Sequence, residues 1–316
     1  MIISASRRTD IPAFYAQWFI NRVHAGYCTV PNPFNRKQIS KVSLKPEDVD
    51  VIVFWTRNPR PLMPHLGVLD ALGLRYYFQY TLMGNPKQID THSPNLEASI
   101  TTFTALADLV GADKVIWRYD PILFSQITHA AYHVRQYAKI ASALAGKTQR
   151  SVISIVDEYA KNKGQFRALA EAGIEVEQPQ VDDPWFVDCI GEMVGIAKDH
   201  QMEIVSCAED LDLTHLGVRP GKCVDDDYIQ KLFGINVTST KDPNQRKPCG
   251  CVVSKDVGMY NTCLYGCQYC YATRSYKSAK NNFSEHDPHS PSLLGWYEPE
   301  PSRGDEGDGI DQLSLF

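Results

Sequence analysis

Three cysteines late in the chain have a spacing that suits an iron–sulfur cluster. They are Cys263, Cys267 and Cys270, arranged as C-x3-C-x2-C. A short loop with this spacing can wrap one corner of a four-iron cluster, so that each thiolate binds one iron. Such clusters normally take four cysteines, so a set of three leaves one iron open to a ligand from outside the chain.

The same loop has two other readings, a zinc knuckle and a redox-active thiol pair. Zinc usually takes four ligands in two pairs, and no histidine lies within residues 261–273. The spacing of the ligands therefore favours iron and sulfide over zinc.

The segment 261–273 (NTCLYGCQYCYAT) resembles the cluster loop of the radical S-adenosylmethionine superfamily. In that superfamily the open iron of a [4Fe–4S] cluster binds S-adenosylmethionine, and one electron cleaves the sulfonium to give a 5′-deoxyadenosyl radical. The resemblance implies both cofactors here and an electron donor such as a flavodoxin or a ferredoxin. It also implies that the backbone near Tyr269 contacts the adenine.

Most of residues 1–280 resemble an uncharacterised bacterial family in which the radical-type cysteine cluster is C-terminal. Most of the superfamily instead carries this loop after the first barrel strand. The Gly-Gly-Glu segment of the superfamily has no recognisable copy here, which leaves its amino-group contact unassigned. The landmarks that carry the resemblance are 6–11 (SRRTDI), 117–121 (WRYDP), 206–209 (SCAE) and 249–251 (CGC).

Six apolar segments alternate with amphipathic stretches, which indicates repeated β–α units. Their Val, Ile, Tyr and Phe content suits strands that are buried on both faces of a parallel sheet. We predict an α/β protein with a partial or complete TIM-like (β/α) barrel, and a doubly wound open sheet fits the same pattern. The predicted strands are Ile2–Ser6, Val51–Thr56, Tyr76–Thr81, Val115–Tyr119, Ser151–Val156 and Glu203–Cys207.

Helices are predicted between these strands. Asp10 can cap the first, with Pro12 in its first turn. A second begins at Ser93-Pro94 and ends near Val110, before Gly111. Two more are predicted over Thr128–Leu144 and Asp183–His200.

Charged side chains follow the predicted strands, at the ends where parallel α/β folds bind ligands. Each one alone is better explained as a helix cap or a surface ion pair, but the set favours a binding site. The arginines suit a carboxylate or a phosphate, and the acids can accept hydrogen bonds from a ribose or an amino group. The predicted cofactor-binding residues are Tyr269, Arg7, Arg8, Asp10, Arg57, Arg118, Asp120 and Glu209.

Four further cysteines are candidates for a second site. Cys249 and Cys251 form a C-x-C pair, Cys207 ends a predicted strand, and Cys223 lies in a turn. Together they can hold a second Fe–S cluster or a structural zinc. They can also be unligated thiols, or one of them can donate a hydrogen atom to a substrate radical.

Composition points to the cytoplasm. The chain has 316 residues and nine cysteines. Its start lacks a secretory signal, and thiols in such a chain favour metal or redox use over disulfides. No apolar run approaches the roughly 18 residues of a membrane span, so we expect no membrane association.

The chain is predicted to have three parts. Residues 1–245 form the barrel-like body, 246–282 form an Fe–S segment packed on it, and 283–316 form a disordered tail. The tail has one apolar cluster, Leu293–Tyr297, that can dock on the body. It also concentrates the acids of a chain whose net charge is −5, which leaves the body near neutral.

The last five residues resemble the peptide by which bacterial DNA polymerases and mismatch-repair proteins dock on the sliding clamp. A glutamine and apolar side chains at the end of a flexible tether have the reach that such peptides need. The alternative is a terminus that folds back on the body. The predicted clamp-binding residues are Gln312, Leu313, Ser314, Leu315 and Phe316.

These features combine into one functional prediction, a radical S-adenosylmethionine enzyme for DNA repair or DNA base modification, similar in logic to spore photoproduct lyases. The target base would be bound at the barrel mouth, outside the stack. The rivals are a radical enzyme acting on a peptide or a small metabolite, a non-catalytic Fe–S protein, and a zinc-stapled nucleic-acid-binding module.

Overall fold

An eight-stranded sheet forms the centre of the computed structural model, which describes residues 1–158 and 162–298. All neighbouring strands of this sheet are parallel. The strands in chain order are β1 (Ile2–Ala5), β2 (Tyr27–Pro31), β3 (Ile39–Ser43), β4 (Val51–Thr56), β5 (Tyr76–Thr81), β6 (Val115–Ile122), β7 (Arg150–Ile155), β8 (Glu203–Cys207), β9 (Arg219–Gly221) and β10 (Lys255–Asp256). Strands β2 and β3 pair only with each other, as an antiparallel hairpin.

Helices connect most of the strands, and four of them begin at a side chain that caps the first turn, as α1 and α4 show. Asp10 Oδ1 accepts a hydrogen bond from Ala13 N (2.9 Å), and Asn95 Oδ1 accepts one from Ala98 N (2.8 Å). Within the described residues no helix is long and apolar enough to cross a membrane. The helices are α1 (Ile11–Phe14), α2 (Ala16–Ala25), α3 (Leu66–Ala71), α4 (Leu96–Val110), α5 (Ala130–Ala143), α6 (Lys163–Glu171), α7 (Pro184–Asp199), α8 (Asp226–Phe233) and α9 (Tyr276–Ser284).

The two faces of the sheet have different coverings. Alternate strand residues point to opposite faces, so Ile3, Ile52 and Phe78 pack in one core with residues of α2, α4, α5 and α7. Ile2 and Val51 lie in a second core with residues of α8 and with the four candidate second-site cysteines or their neighbours. Cys223, Cys249 and Cys251 thus lie on the face opposite most of the helices.

The sheet is open in the described parts of the chain. Its order is β10-β1-β4-β5-β6-β7-β8-β9, and no ladder joins β9 to β10. The predicted α/β class with a parallel sheet is therefore confirmed, whereas closure into a complete barrel is not found. The two edge strands escaped prediction because each has at most three residues and one contains Pro220 and Gly221.

The packed part of the chain extends further than the predicted boundary at residue 283. Residues 285–298 lie against α2 and β2, where Trp18 Nε1 donates to Ser290 O (3.0 Å) and Thr29 N donates to Pro291 O (2.9 Å). Leu293 is 1% exposed. Burial of this side chain and the backbone contacts offset the ordering entropy, so the predicted disorder does not hold for residues 283–298.

Candidate metal centre

A cavity of about 510 Å³ lies at the carboxyl ends of the parallel strands. The three cysteines of the C-x3-C-x2-C loop (the first set) and the four second-site cysteines (the second set) line this cavity, together with the loop that follows β1. The structure therefore brings together groups that are as far apart in sequence as Ser6 and Cys270. The predicted site residues that line it are Arg7, Arg8, Asp10, Arg57, Arg118, Asp120, Cys207, Cys223, Cys249, Cys251, Cys263, Cys267, Tyr269 and Cys270.

The cluster loop follows β10 and is held by the segment between β5 and α4. Gln268 N donates to Ile89 O (2.9 Å), and His92 N donates to Tyr265 O (2.9 Å). Gly266 has a φ of +64°, and a Cβ at that position would lie 3.2 Å from His92 Cδ2. A side chain there would be strained and crowded, so glycine lets the loop turn between its first two cysteines.

The three thiols of the cluster loop (residues 261–273) are half-buried, and their surroundings disfavour the ionised form. Burial raises the pKa of Cys263 to about 12, and it also raises the pKa of Cys267 and of Cys270. Thiolates, not thiols, bind metals, so ionisation at this site calls for a bound cation. The chemistry of the donor set thus fits a metal centre.

The spacing of the sulfurs disfavours a preformed site for a single zinc ion. Tetrahedral zinc with Zn–S bonds of about 2.3 Å places its sulfurs about 3.8 Å apart. In the described residues, only Asp225–Asp227 bring three potential ligand atoms within 4.8 Å of one another. Among the described residues no three sulfurs meet that limit, so the thiols do not form a ready-made tetrahedral zinc site. The acidic trio itself is paired with Arg150 and Lys222.

An ionic network fixes one side of the cluster loop. Arg57 Nη1 lies 3.1 Å from Asp90 Oδ2, and Arg57 Nη2 donates to the hydroxyl of Tyr269. Tyr269 in turn donates to Asp90 Oδ1 (2.9 Å). Burial alone would lower the pKa of Arg57, but Asp90 and Cys267 raise it above its ordinary value. Arg57 therefore remains charged beside Cys267 and can stabilise negative charge on its sulfur.

Asp10 joins the loops that follow β1 and β4. Its Oδ2 accepts a hydrogen bond from Arg57 N (2.6 Å), while its Oδ1 caps α1. Burial raises the pKa of Asp10 to about 7 despite these hydrogen bonds, which lower it. Its contacts make Asp10 a residue that positions the cavity wall.

Asp256 in β10 organises the segment 6–8. Its carboxylate accepts hydrogen bonds from Ser6 Oγ (2.7 Å) and from Arg7 N (2.8 Å), and it lies 4.0 Å from Arg8 Nε. Burial raises the pKa of Asp256, but Arg8, Ser6 and Arg7 outweigh it and hold the pKa below its usual range. Gly258 permits this contact, since a Cβ there would lie 2.0 Å from Ser6 Oγ.

Arg7 has donor capacity that the protein does not use. Its guanidinium lies over the ring of Trp55, 5.0 Å from the centroid, and its Nη1 donates to Ser254 Oγ (3.3 Å). Arg7 Nη2 is buried without a hydrogen-bond partner, as are Thr9 Oγ1 and the hydroxyl of Tyr265. These orphaned polar atoms belong to residues that line the cavity, which suits a polar ligand there.

Arg118 and Asp120 pair with each other beside the second cysteine set. The Arg118 guanidinium forms two hydrogen bonds to the Asp120 carboxylate, and its Nη1 lies 2.8 Å from Cys223 Sγ. The sulfurs of Cys207 and Cys223 lie 2.6 Å apart. The Arg118 guanidinium thus contacts Asp120 and Cys223, so fewer of its N–H donors are available to a carboxylate ligand than the sequence predicts.

Glu209 does not line the cavity. Its carboxylate accepts hydrogen bonds from Ile155 N (2.7 Å) and Leu211 N (3.3 Å), so it holds the ends of neighbouring loops. Sequence reasoning missed Asp90, Asp256 and Arg246, of which Arg246 lines the cavity and pairs with Asp157 (2.6 Å). These three follow no predicted strand, and only their tertiary contacts reveal them.

Comparison with known proteins adds a family but no activity. A family model described as a domain of unknown function, DUF1848, matches residues 2–272. The match includes all cysteines of both sets and ends before α9. No curated protein matches the chain. The predicted clamp-binding residues Gln312–Phe316 lie outside both the match and the described residues.

Proposed function

The chain belongs to the DUF1848 family, and we propose that it is a radical S-adenosylmethionine enzyme that repairs or modifies DNA. One observation carries the enzymatic part of the proposal. Three half-buried thiols from a C-x3-C-x2-C loop open onto a cavity that also contains charged side chains from the ends of the strands. The open parallel sheet, with most of its helices on one face, fits the partial form of a (β/α) barrel.

The residues present fit both cofactors. Cys263, Cys267 and Cys270 would hold three irons of a [4Fe–4S] cluster, and a set of three leaves one iron for S-adenosylmethionine. When bound, the two groups supply a 5′-deoxyadenosyl radical. A cavity of about 510 Å³ lies within the ordinary range for ligand sites. Among the partnerless polar atoms of this cavity, Arg7 Nη2 is the charged donor available to the carboxylate.

The other residues of the chain prepare this site. Arg57 stays charged next to Cys267 and lowers the cost of a buried anionic centre. Tyr269 and Tyr265 form part of the cavity wall and keep water from the sulfurs. Asp10 and Asp256 fix the two loops that carry Arg57 and Arg7.

The DNA part of the proposal rests on the sequence. The terminal peptide Gln312–Phe316 matches the pattern of sliding-clamp ligands, and a clamp would deliver the enzyme to DNA. Arginines on the cavity wall suit a nucleotide phosphate as well as a carboxylate. A flavodoxin or a ferredoxin would supply the electron.

The test is anaerobic reconstitution of the full chain with iron and sulfide, followed by reduction with dithionite in the presence of S-adenosylmethionine. We expect 5′-deoxyadenosine, and more of it with DNA present. Cys263→Ala, Cys267→Ala and Cys270→Ala should each give none above background. Cys189→Ala is the matched control, because this buried thiol lies in α7 away from the cavity.

Two results would reject the proposed chemistry. One is oxygen-free protein that binds only zinc at the cluster loop. The other is an iron-loaded, reduced protein that leaves S-adenosylmethionine intact with or without DNA. If a peptide or a small metabolite stimulates cleavage and DNA does not, the proposed radical chemistry stands and the proposed DNA substrate is wrong.

A further inference from the structure

We propose that Cys207, Cys223, Cys249 and Cys251 hold a second iron–sulfur cluster on the wall of the same cavity. This site is additional to the radical chemistry proposed above and does not depend on it. With four protein thiolates, each iron has its own ligand, so this cluster has no iron free for S-adenosylmethionine. It can serve as a one-electron carrier next to the substrate cavity.

The four sulfurs come from three separate segments that the fold brings together. Cys207 ends β8, Cys223 lies between β9 and α8, and Cys249 and Cys251 precede β10. Cys251 Sγ accepts hydrogen bonds from Cys223 N (3.2 Å) and Val224 N (3.4 Å). All four residues line the cavity. Core packing alone gives no reason for four thiols from distant segments to converge at a cavity wall.

Hydrogen-bond donors lie against two of these sulfurs, Cys223 Sγ and Cys251 Sγ. A neutral thiol is a weak hydrogen-bond acceptor, yet Cys223 Sγ lies 2.8 Å from Arg118 Nη1 and Cys251 Sγ accepts two backbone N–H groups. Hydrogen bonds to cysteine sulfur are a principal means by which proteins stabilise Fe–S clusters and tune them. The partnerless Nη2 of Arg7 lies in the same cavity wall, and its charge offsets that of a four-thiolate cluster.

Among the described residues these sulfurs do not form a ready-made zinc site. No three of them lie within 4.8 Å of one another, whereas zinc requires about 3.8 Å between its sulfurs. Cys207 Sγ and Cys223 Sγ are 2.6 Å apart, so at least one of the two must change rotamer to bind its own iron. This close pair is also the candidate for a disulfide, which the experiment must distinguish.

Iron counting on three anaerobically reconstituted variants of the full chain tests the inference. The variants are a first-set triple mutant (Cys263→Ala, Cys267→Ala, Cys270→Ala), a second-set double mutant (Cys249→Ala, Cys251→Ala) and the control Cys189→Ala. Iron, sulfide and zinc are measured per chain, and reduced samples are examined by electron paramagnetic resonance with and without S-adenosylmethionine.

We expect about eight irons in the wild type and the control, and about four in each cluster mutant, on the basis of four irons per cluster. The signal of the triple mutant should not respond to S-adenosylmethionine. That result would support the second site even if no variant cleaves S-adenosylmethionine, so the two proposals fail separately.

Three outcomes would overturn the inference: a triple mutant without iron, stoichiometric zinc in place of iron in that mutant, or a Cys207–Cys223 disulfide in anaerobic protein by mass spectrometry. Circular dichroism checks that each variant is folded. If the double mutant is unfolded, the residual iron of the triple mutant decides alone.

Discussion

The arginines around the cavity differ in whether their guanidinium groups are paired with carboxylates of the protein. Arg57 is paired with Asp90, Arg118 with Asp120, and Arg246 with Asp157. Breaking a buried pair by removing one partner costs about 3–5 kcal/mol, so the first two pairs are held in place, whereas the third is only partly buried. Arg7 instead keeps a buried Nη2 without a partner. At the scale of single residues, Arg7 is therefore the best candidate for contact with an anionic ligand.

His133 gives a prediction about the pH dependence of stability. It is buried in α5, with Nδ1 2.9 Å from the hydroxyl of Tyr119, and burial lowers its pKa to about 4. The unfolded chain titrates near 6.5 at this residue. Below that pH the unfolded chain binds a proton that the folded chain does not, so stability falls as the pH falls towards about 4.

His133→Gln should remove this contribution. Between about pH 7 and pH 4, the wild type should lose up to about 3 kcal/mol more unfolding free energy than the variant does. Urea unfolding at a series of pH values measures the difference, with both proteins in the same cluster-loading state. The exposed His24→Gln serves as control and should follow the wild type. Parallel pH profiles for wild type and His133→Gln would show that His133 is not buried in neutral form.

At the scale of elements, the segment 285–298 works as a strap over α2 and β2. Its backbone carbonyls accept hydrogen bonds from Trp18 Nε1 and from Asn21 Nδ2 (2.8 Å). The helix before it, α9, lies directly after the cluster loop, and Phe283 packs on Tyr15 with ring centroids 5.7 Å apart. The strap thereby anchors the C-terminal side of the cluster loop to the first helices.

Leu293→Ala tests the strap. The side chain is 1% exposed, and leucine-to-alanine changes in a core cost about 2–5 kcal/mol. We expect a loss of about 3 kcal/mol in urea unfolding and faster loss of iron from the loaded protein. Trp296→Ala is the matched control, since Trp296 is 65% exposed, and it should leave both quantities nearly unchanged. Equal behaviour of the two variants would mean that the strap does not support the body.

At the scale of the whole molecule, the candidate functional residues lie together at one edge of the sheet. Parallel strands place all their carboxyl ends on the same side, and β10 adds the C-terminal segment next to β1. The loops after β1 and β4 therefore meet a cysteine loop that comes more than 200 residues later in the chain. A cluster loop at the C-terminal end of the family domain can in this way reach the usual ligand position of the fold.

The terminal peptide leads to the prediction at this scale. Replacing Leu315 and Phe316 with alanine in the full chain should weaken binding to a purified bacterial sliding clamp at least about tenfold, since such apolar anchors carry most of the affinity. Surface plasmon resonance measures the affinity, and iron content should not change. Glu306→Gln, upstream of the peptide, is the control. Unchanged clamp affinity, or no clamp binding by the wild type, would remove the argument for DNA recruitment.

The sequence by itself determined the local features of this protein. The spacing of Cys263, Cys267 and Cys270 and the apolar segments of the six central strands are properties of short windows, so the chain reveals them without a fold. Strand bounds agree closely, as at Val51–Thr56 and Tyr76–Thr81. The boundary at residue 283 failed because composition indicated disorder, whereas Leu293 finds a buried position against distant helices.

Only the tertiary structure decided which distant residues share the cavity. Asp90 and Asp256 have no local signal, yet they hold Arg57 and the segment 6–8. Glu209 follows a strand as predicted, but its carboxylate accepts hydrogen bonds from backbone amides and does not line the cavity. The meeting of Cys207, Cys223 and Cys251 depends on strand register and on the paths of three loops. Contacts of this kind form between segments far apart in sequence, so no short stretch of the chain encodes them.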